Sequence, residues 1–382
     1  MGHWGSLRLK RWGGSNRVWH HQNWCASGLC RHRSSVALWN EKIDCCTWEE
    51  ISCDVFGNVI VLDLSCGSLQ GTISSNSTLF KLHHLKDLQL FGNDFRGSFI
   101  VSEFGKFKNM TFLDLSDSNF SGQVPLEISH LSKLVILGLG GPKLDGYLRY
   151  KVMVGENTFK ALSQNLTSLK DFSLNGIDLS SIPPMLSFKN FSSLTGLDLR
   201  QCKLHGKQLE NIFLLSKLQS LFLRENEAPN GSFPRSNWSS ALEYLDIYNN
   251  TFFIDLPLLL KNIPKSLSIL YLSFSNLVGP LPDNIHFLAG SAPNFIGLDL
   301  SNNLLNGTIL SWIYAIPYLE DLYLSHNQFT GEIIGGFQSP SLQRLDLSSN
   351  KLSGTLELEK LLNFKSFISY CIGVCALLSS VL

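Results

Sequence analysis

The chain has 382 residues, 31 basic and 31 acidic side chains, and 44% hydrophobic residues. The charge is unevenly spread, and the excess of acids outside the first forty residues argues against a nucleic-acid partner for the repeats. Length alone suggests two or three domains, but internal repeats replace that expectation with one solenoid over most of the chain.

Residues 1–37 form an atypical basic segment. Arg8, Lys10, Arg11, Arg17, Arg31 and Arg33 stand in the first forty residues without an acid, which leaves a net −6 for the remainder. No apolar stretch of about 7–15 residues marks a signal peptide there. The segment shows no helical periodicity and is expected to be disordered. His20, His21, Cys25, Cys30 and His32 match no zinc spacing, so no metal site is expected.

Residues 38–58 read as a cap. Asp44-Cys45-Cys46-Thr47-Trp48 is followed by Cys53. The end of a solenoid exposes apolar core and needs a polar cover, and disulfides staple small caps in oxidising compartments.

Residues 59–364 carry twelve copies of L-x-x-L-x-L-x-x-N, anchored on Val59, Leu85, Met110, Leu134, Leu169, Leu194, Leu218, Leu242, Leu267, Phe295, Leu319 and Leu342. This is the leucine-rich repeat. In L-x-L the leucines share one side of a short strand and the x residues share the other. No single repeat buries its leucines, so the strands must stack in parallel. The fold class is therefore an α/β solenoid: a curved superhelix with a parallel sheet on its concave face.

The ladder position is Asn at 93, 226, 250, 303, 327 and 350, and Gly67, Ser118, Pro142, Ile177, Cys202 or Ser275 elsewhere. Its side chain is expected to satisfy buried backbone groups, which makes Cys202 a ladder residue rather than a reactive thiol. Between Leu134 and Leu169 about eleven extra residues intervene, and Tyr147–Val154 is expected to loop from the convex side. Phe364–Phe367 resembles the start of a thirteenth repeat, after which the pattern stops. Residues 365–382 form a hydrophobic tail, with 366–382 uncharged and at the low edge of a membrane span. It reads as sequence running past a truncated array, with membrane anchoring as the second reading.

Several repeats continue as G-x-[IVLF]-P, as in Gly122-Gln-Val124-Pro125, Gly231-Ser-Phe233-Pro234 and Gly279-Pro-Leu281-Pro282. With the D-C-C-x-W cap, this resembles the plant cell-surface leucine-rich-repeat receptor-like proteins over roughly residues 38–367. The resemblance implies a second short strand on one flank of each repeat. It implies a Cys46–Cys53 disulfide, and a partner upstream for Cys45. It also implies extracellular recognition of a pathogen-derived or developmental ligand and signalling through partner receptor kinases, since the family carries no kinase domain. The localisation implied is the cell surface or extracellular space. A secreted inhibitor of pathogen wall-degrading enzymes and a truncated, non-signalling decoy are the alternatives.

Nine N-x-[ST] sequons, at Asn76, Asn109, Asn119, Asn165, Asn190, Asn230, Asn237, Asn249 and Asn306, avoid every leucine position and fit a glycosylated surface. No phosphate loop, zincin, nucleophile-elbow or kinase motif occurs, so neither an enzyme nor a cofactor is expected. Asp114, Asp198, Asp246, Asp299 and Asp346 share the L-D-L slot and read as consensus facing solvent. Departures from L-D-L-S on the concave face carry the ligand information: Arg200, Phe222, Arg224, Glu225, Tyr244, Tyr248, Tyr271, Phe274, Tyr323 and His326. Tyr and Arg are enriched at binding hot spots, and this stripe is expected to contact a protein or peptide.

Overall fold

The computed structural model describes residues 39, 42–141, 151–183, 188–204, 206–226, 233, 241–283, 295–333, 339–354 and 369–371. The chain divides into two compact units, Met1–Cys202 and Lys203–Leu382. Both are leucine-rich-repeat solenoids built from three-residue parallel strands.

Unit 1 begins with an antiparallel hairpin of β1 (Ile51–Cys53) and β2 (Val59–Asp63). The Asp54 carboxylate accepts the Phe56 and Asn58 amides and fixes the turn. Asp44 caps the 3-10 turn Cys45–Thr47, and Trp39 stacks on Trp48 at 4.6 Å. Strand β1 thus covers what would be an open edge of the parallel sheet. The parallel strands continue as β3 (Asp87–Gln89), β4 (Phe112–Asp114), β6 (Ile136–Gly138), β8 (Asp171–Ser173) and β9 (Gly196–Asp198). Leu85, Leu88, Leu113, Leu137 and Leu139 are fully buried on one face. Behind them run 3-10 turns at Thr78–Lys81, Ser102–Lys106 and Leu126–His130, then α1 (Glu156–Asn165). Phe80, Phe104 and Phe107 pack ring to ring in this back layer.

Part of the expected convex loop is a strand. Val152–Met153 (β7) pairs in parallel with Gly122–Gln123 (β5), and Val152 and Val154 are buried. The insertion therefore re-enters the repeat on its flank, where Val124 N–H donates to Met153 O at 2.8 Å.

Unit 2 starts with α2 (Gly206–Ile212) and stacks β10 (Ser220–Phe222), β11 (Tyr244–Asp246), β12 (Ile269–Tyr271), β14 (Gly297–Asp299), β16 (Asp321–Tyr323) and β18 (Arg344–Asp346). Helices α3 (Leu256–Asn262) and α4 (Ser311–Tyr314) sit in its connections. The G-x-I-P segments form a second parallel sheet of β13 (Val278–Pro280), β15 (Leu304–Thr308), β17 (Gln328–Glu332) and β19 (Lys351–Ser353). The main ladder also runs past the point where the sequence pattern stops: β20 (Ser369–Cys371) pairs with β18, Leu345 opposite Tyr370. Backbone pairing does not need the leucine code. Among the described residues no helix is long and apolar enough to cross a membrane.

The ladder side chains act as the repeat pattern requires. Asn303 Nδ2 donates to Leu272 O and Leu300 O, while its Oδ1 accepts from the Ser275 and Leu277 amides. Asn93 bridges Leu64 O, Leu90 O and the Leu69 amide in the same way. The buried Cys202 thiol donates to Leu174 O at 3.1 Å. Each amide joins two repeats, satisfying groups that would otherwise be stranded at a strand end.

Candidate functional site: the outer faces of the two sheets

On the face opposite the leucines, register sets the side chains in columns. In unit 1 the L-x-L column reads Asp63, Gln89, Asp114, Gly138, Ser173, Asp198. In unit 2 it reads Phe222, Asp246, Tyr271, Asp299, Tyr323, Asp346, an alternation of aromatic and acid.

The residues expected from the sequence fall in both units. Arg200 lies in unit 1, where Nε and Nη2 grip Asp198 at 2.8 and 2.6 Å. Phe222 is buried rather than presented, because the Tyr244 ring covers it at 4.8 Å. Tyr244 in turn meets Tyr271 edge-on at 5.8 Å. Arg224 donates to Asp246 and stands 5.5 Å from the Tyr248 ring centroid, a cation–π arrangement. Phe274 meets Tyr248 edge-on at 5.4 Å and is 46% exposed. Glu225 and His326 are exposed at the same position of their own repeats. Tyr323 is half-buried, and its phenol is pushed up by burial and then by Asp321. Burial, reinforced by Asp321, pushes the Tyr271 phenol to about 12.

The L-D-L acids are less exposed than their consensus role suggests. Asp198 and Asp246 are buried and neutralised by Arg200 and Arg224. Sequence reasoning missed Asp321 and Arg344, which are neighbours in register and pair at 2.6 Å through Nη2. The signal was available one position before the strand leucine, where Asp and Arg fall in successive repeats.

One backbone feature was also missed. The residue before the ladder position has positive φ in repeat after repeat, including Asp117 (52°), Glu225 (56°), Asn249 (51°), Phe274 (55°) and His326 (52°). This left-handed residue turns the chain out of the strand so that the ladder side chain points inward. Gly, Asn and Asp suit it; Phe does not.

In the cap, Cys46 and Cys53 are joined by a disulfide. Cys45 is a free thiol, contrary to the upstream pairing implied by resemblance, whereas Cys66 is disulfide-bonded. The sulfurs of Cys45, Cys46 and Cys53 lie within 4.8 Å of one another, but two of the three are consumed in the bond. Asn76, Asn109, Asn119, Asn165, Asn190, Asn249 and Asn306 are all exposed; Asn230 and Asn237 fall outside the described residues.

Comparison with known proteins places the repeats beside plant proteins. The leucine-rich-repeat family model matches residues 109–131, 318–340 and 341–361. Receptor-like protein 9DC1 of Solanum pimpinellifolium is 37% identical over 250 residues, covering 63% of this chain and 27% of the relative. Receptor-like protein Cf-9 of the same species is 38% identical over 232 residues, covering 60% and 25%. The chain is a leucine-rich-repeat solenoid similar in sequence to plant receptor-like proteins. It spans about a quarter of the length of these receptor-like proteins. The crystal structure of PEPR1–AtPEP1 shares the fold, with a TM-score of 0.57 and 24% identity over 85% of this chain and 46% of that one.

Proposed function

We propose that this receptor-like chain recognises a protein or peptide ligand at the cell surface. The outer sheet face of unit 2 makes the contact, through Arg224, Tyr248, Phe274 and the Tyr271–Tyr323 row. The repeat array catalyses nothing itself; signalling passes to a partner receptor kinase.

Phe274 carries this reading. A bulky aromatic at φ 55° sits where Asn or Gly is easier, and nearly half its surface faces solvent. The left-handed φ recurs at this position in other repeats, so it is the bulk and exposure of the ring that single out Phe274. The neighbouring Tyr248 and the Asp246-anchored Arg224 fix the site's rim. Rigid aromatic and arginine anchors are what interface hot spots are made of.

A displayed peptide library panned against the full chain tests the reading. Enriched peptides should bind Arg224→Ala/Tyr248→Ala at least about tenfold more weakly, the scale of a lost hot spot. Equal affinity for both proteins removes unit 2 from the recognition surface. Asn249, one residue from Tyr248, should be unglycosylated in peptide maps, because a glycan there would cover the aromatic rim.

A further inference from the structure

The cap of unit 1 carries one sulfur more than its staple uses. The Asp44 carboxylate accepts the Cys46 amide at 3.0 Å and sets Cys45 and Cys46 in one 3-10 turn. Thr47 N–H to Asp44 O at 3.0 Å and Trp48 N–H to Cys45 O at 3.1 Å close that turn. Facing it, Cys53 ends β1 and pairs with Val59 of β2. The Cys46–Cys53 disulfide ties turn to strand, with the two Cα atoms 5.5 Å apart. Cys45 keeps a free thiol, and the three sulfurs all lie within 4.8 Å of one another. All three residues are half-buried, so solvent reaches the group.

A thiol beside a disulfide is a nucleophile beside its electrophile. Exchange needs only a thiolate, a reachable sulfur and a leaving thiolate. Attack on Cys46 would join adjacent residues, whose Cα atoms stand about 3.8 Å apart, short of the roughly 4.4–6.8 Å of ordinary disulfides. Attack on Cys53 meets no such limit.

We propose that Cys45 and Cys46 are alternative partners of Cys53, interconverted by thiol–disulfide exchange within the cap. Cys45 Sγ gives its proton to solvent and attacks Cys53 Sγ. A Cys45–Cys53 bond forms, the Cys46–Cys53 bond breaks, and its electron pair leaves on Cys46 Sγ, which takes up a proton. One thiol and one disulfide stand on each side, so no oxidant or reductant is consumed.

Two observations favour a populated second form. The new loop is one residue longer than the present separation of 7, which changes the closure probability only about 1.2-fold. A released Cys46 thiol also finds an acceptor in place, because its Sγ lies 3.9 Å from Gly57 O. Either bond fastens the turn to β1, so the hairpin goes on covering the sheet edge while the free thiol moves from Cys45 to Cys46. Cys202, the other free thiol among the described residues, is buried against Leu174 O and takes no part. The exchange concerns the cap alone and does not rest on the outer face of unit 2.

The test is a time course on the full chain, purified with its disulfides intact. Portions held at about pH 8 are quenched in acid and alkylated with N-ethylmaleimide, and tandem mass spectrometry places the label at residue 45 or 46. Both cysteines should carry label, in amounts within about tenfold of each other, since loop closure hardly separates the two bonds. Cys45→Ser should abolish the label on Cys46. Cys46→Ser should form the Cys45–Cys53 bond, leave both cysteines unlabelled, and keep the Asp63 amide protected where it donates to Glu50 O. Cys45→Ser/Cys46→Ser should expose Cys53 to the reagent and lose that protection. Label on Cys46 that persists in Cys45→Ser would overturn the exchange. A parent chain with no label on Cys46 at any time would overturn it as well, and so would a Cys46→Ser chain with Cys45 and Cys53 both alkylated.

Discussion

The two units use one scaffold with opposite surface chemistry. In unit 1 the column between the strand leucines is polar or small, and Gly138 lies beneath the Asp114 carboxylate. In unit 2 the same column alternates Phe222, Tyr271 and Tyr323 with Asp246, Asp299 and Asp346. The leucines beneath are equally buried in both. The scaffold therefore leaves the outer face unconstrained, and what differs there is free to encode recognition. The units also handle buried charge differently. Each unit pairs buried acid with arginine, Asp198 with Arg200 in unit 1 and Asp246 with Arg224 in unit 2, but unit 1 also leaves Asp117 Oδ1 without a hydrogen-bond partner.

The sharpest way to break this contrast is Asp117→Asn. Asp117 is raised from 3.8 to about 7 in the folded chain. Between those values the folded state keeps a proton that the unfolded state has released. Stability from this group is therefore present at acid pH and lost as pH rises through 7. At about 1.4 kcal/mol per unit the loss is as much as about 4 kcal/mol by pH 8. Asp87, pushed to about 6 chiefly by burial, adds a shallower fall in the same direction. Asp117→Asn should stabilise unit 1 at pH 8 and flatten the slope, read as urea midpoints from pH 5 to 8. A parent midpoint that does not fall with pH would show that Asp117 is not held in an unfavourable environment.

The ladder supplies the second test. Asn303 makes contacts to two repeats through both ends of its amide. Ser118, its unit 1 counterpart, has only a hydroxyl, which reaches Leu90 O and Ser116 O. Asn303→Ala should cost about 3 kcal/mol and Ser118→Ala about 1 kcal/mol, in proportion to the groups left unpaired. Repeat arrays lose cooperativity, so local hydrogen exchange at the Ser275 and Leu277 amides is the better readout. Equal costs would mean the ladder is satisfied by other means.

Much of this was legible beforehand. The leucine spacing gave the strands, and the Asn spacing gave the ladder, because each follows from a fixed repeat geometry. What the sequence hid depended on neighbours in register. Phe222 looks presented in L-F-L, yet Tyr244, more than twenty residues on, folds over it. Asp198 and Asp246 look solvated until their arginines are placed. Cys45 looks paired by resemblance, but the structure leaves its thiol free. Gly138 looks bare in L-G-L, yet the Asp114 carboxylate of the preceding repeat lies over it.

The smallest predicted effect separates function from stability most cleanly. Phe274 holds a left-handed φ that disfavours L-residues by about 1–2 kcal/mol, whereas Asn tolerates it. Its ring is 46% exposed, so little burial opposes the substitution beyond the edge contact with Tyr248. Phe274→Asn should therefore raise unit 2 stability by about 0.5–1 kcal/mol while weakening ligands selected on the parent chain. A gain in stability with binding intact would make Phe274 strained but idle, and the aromatic rim would then rest on Tyr248 and Arg224 alone. A loss of stability would mean that the Tyr248 contact outweighs the backbone strain, and that Phe274 belongs to the packing of unit 2 rather than to its recognition surface.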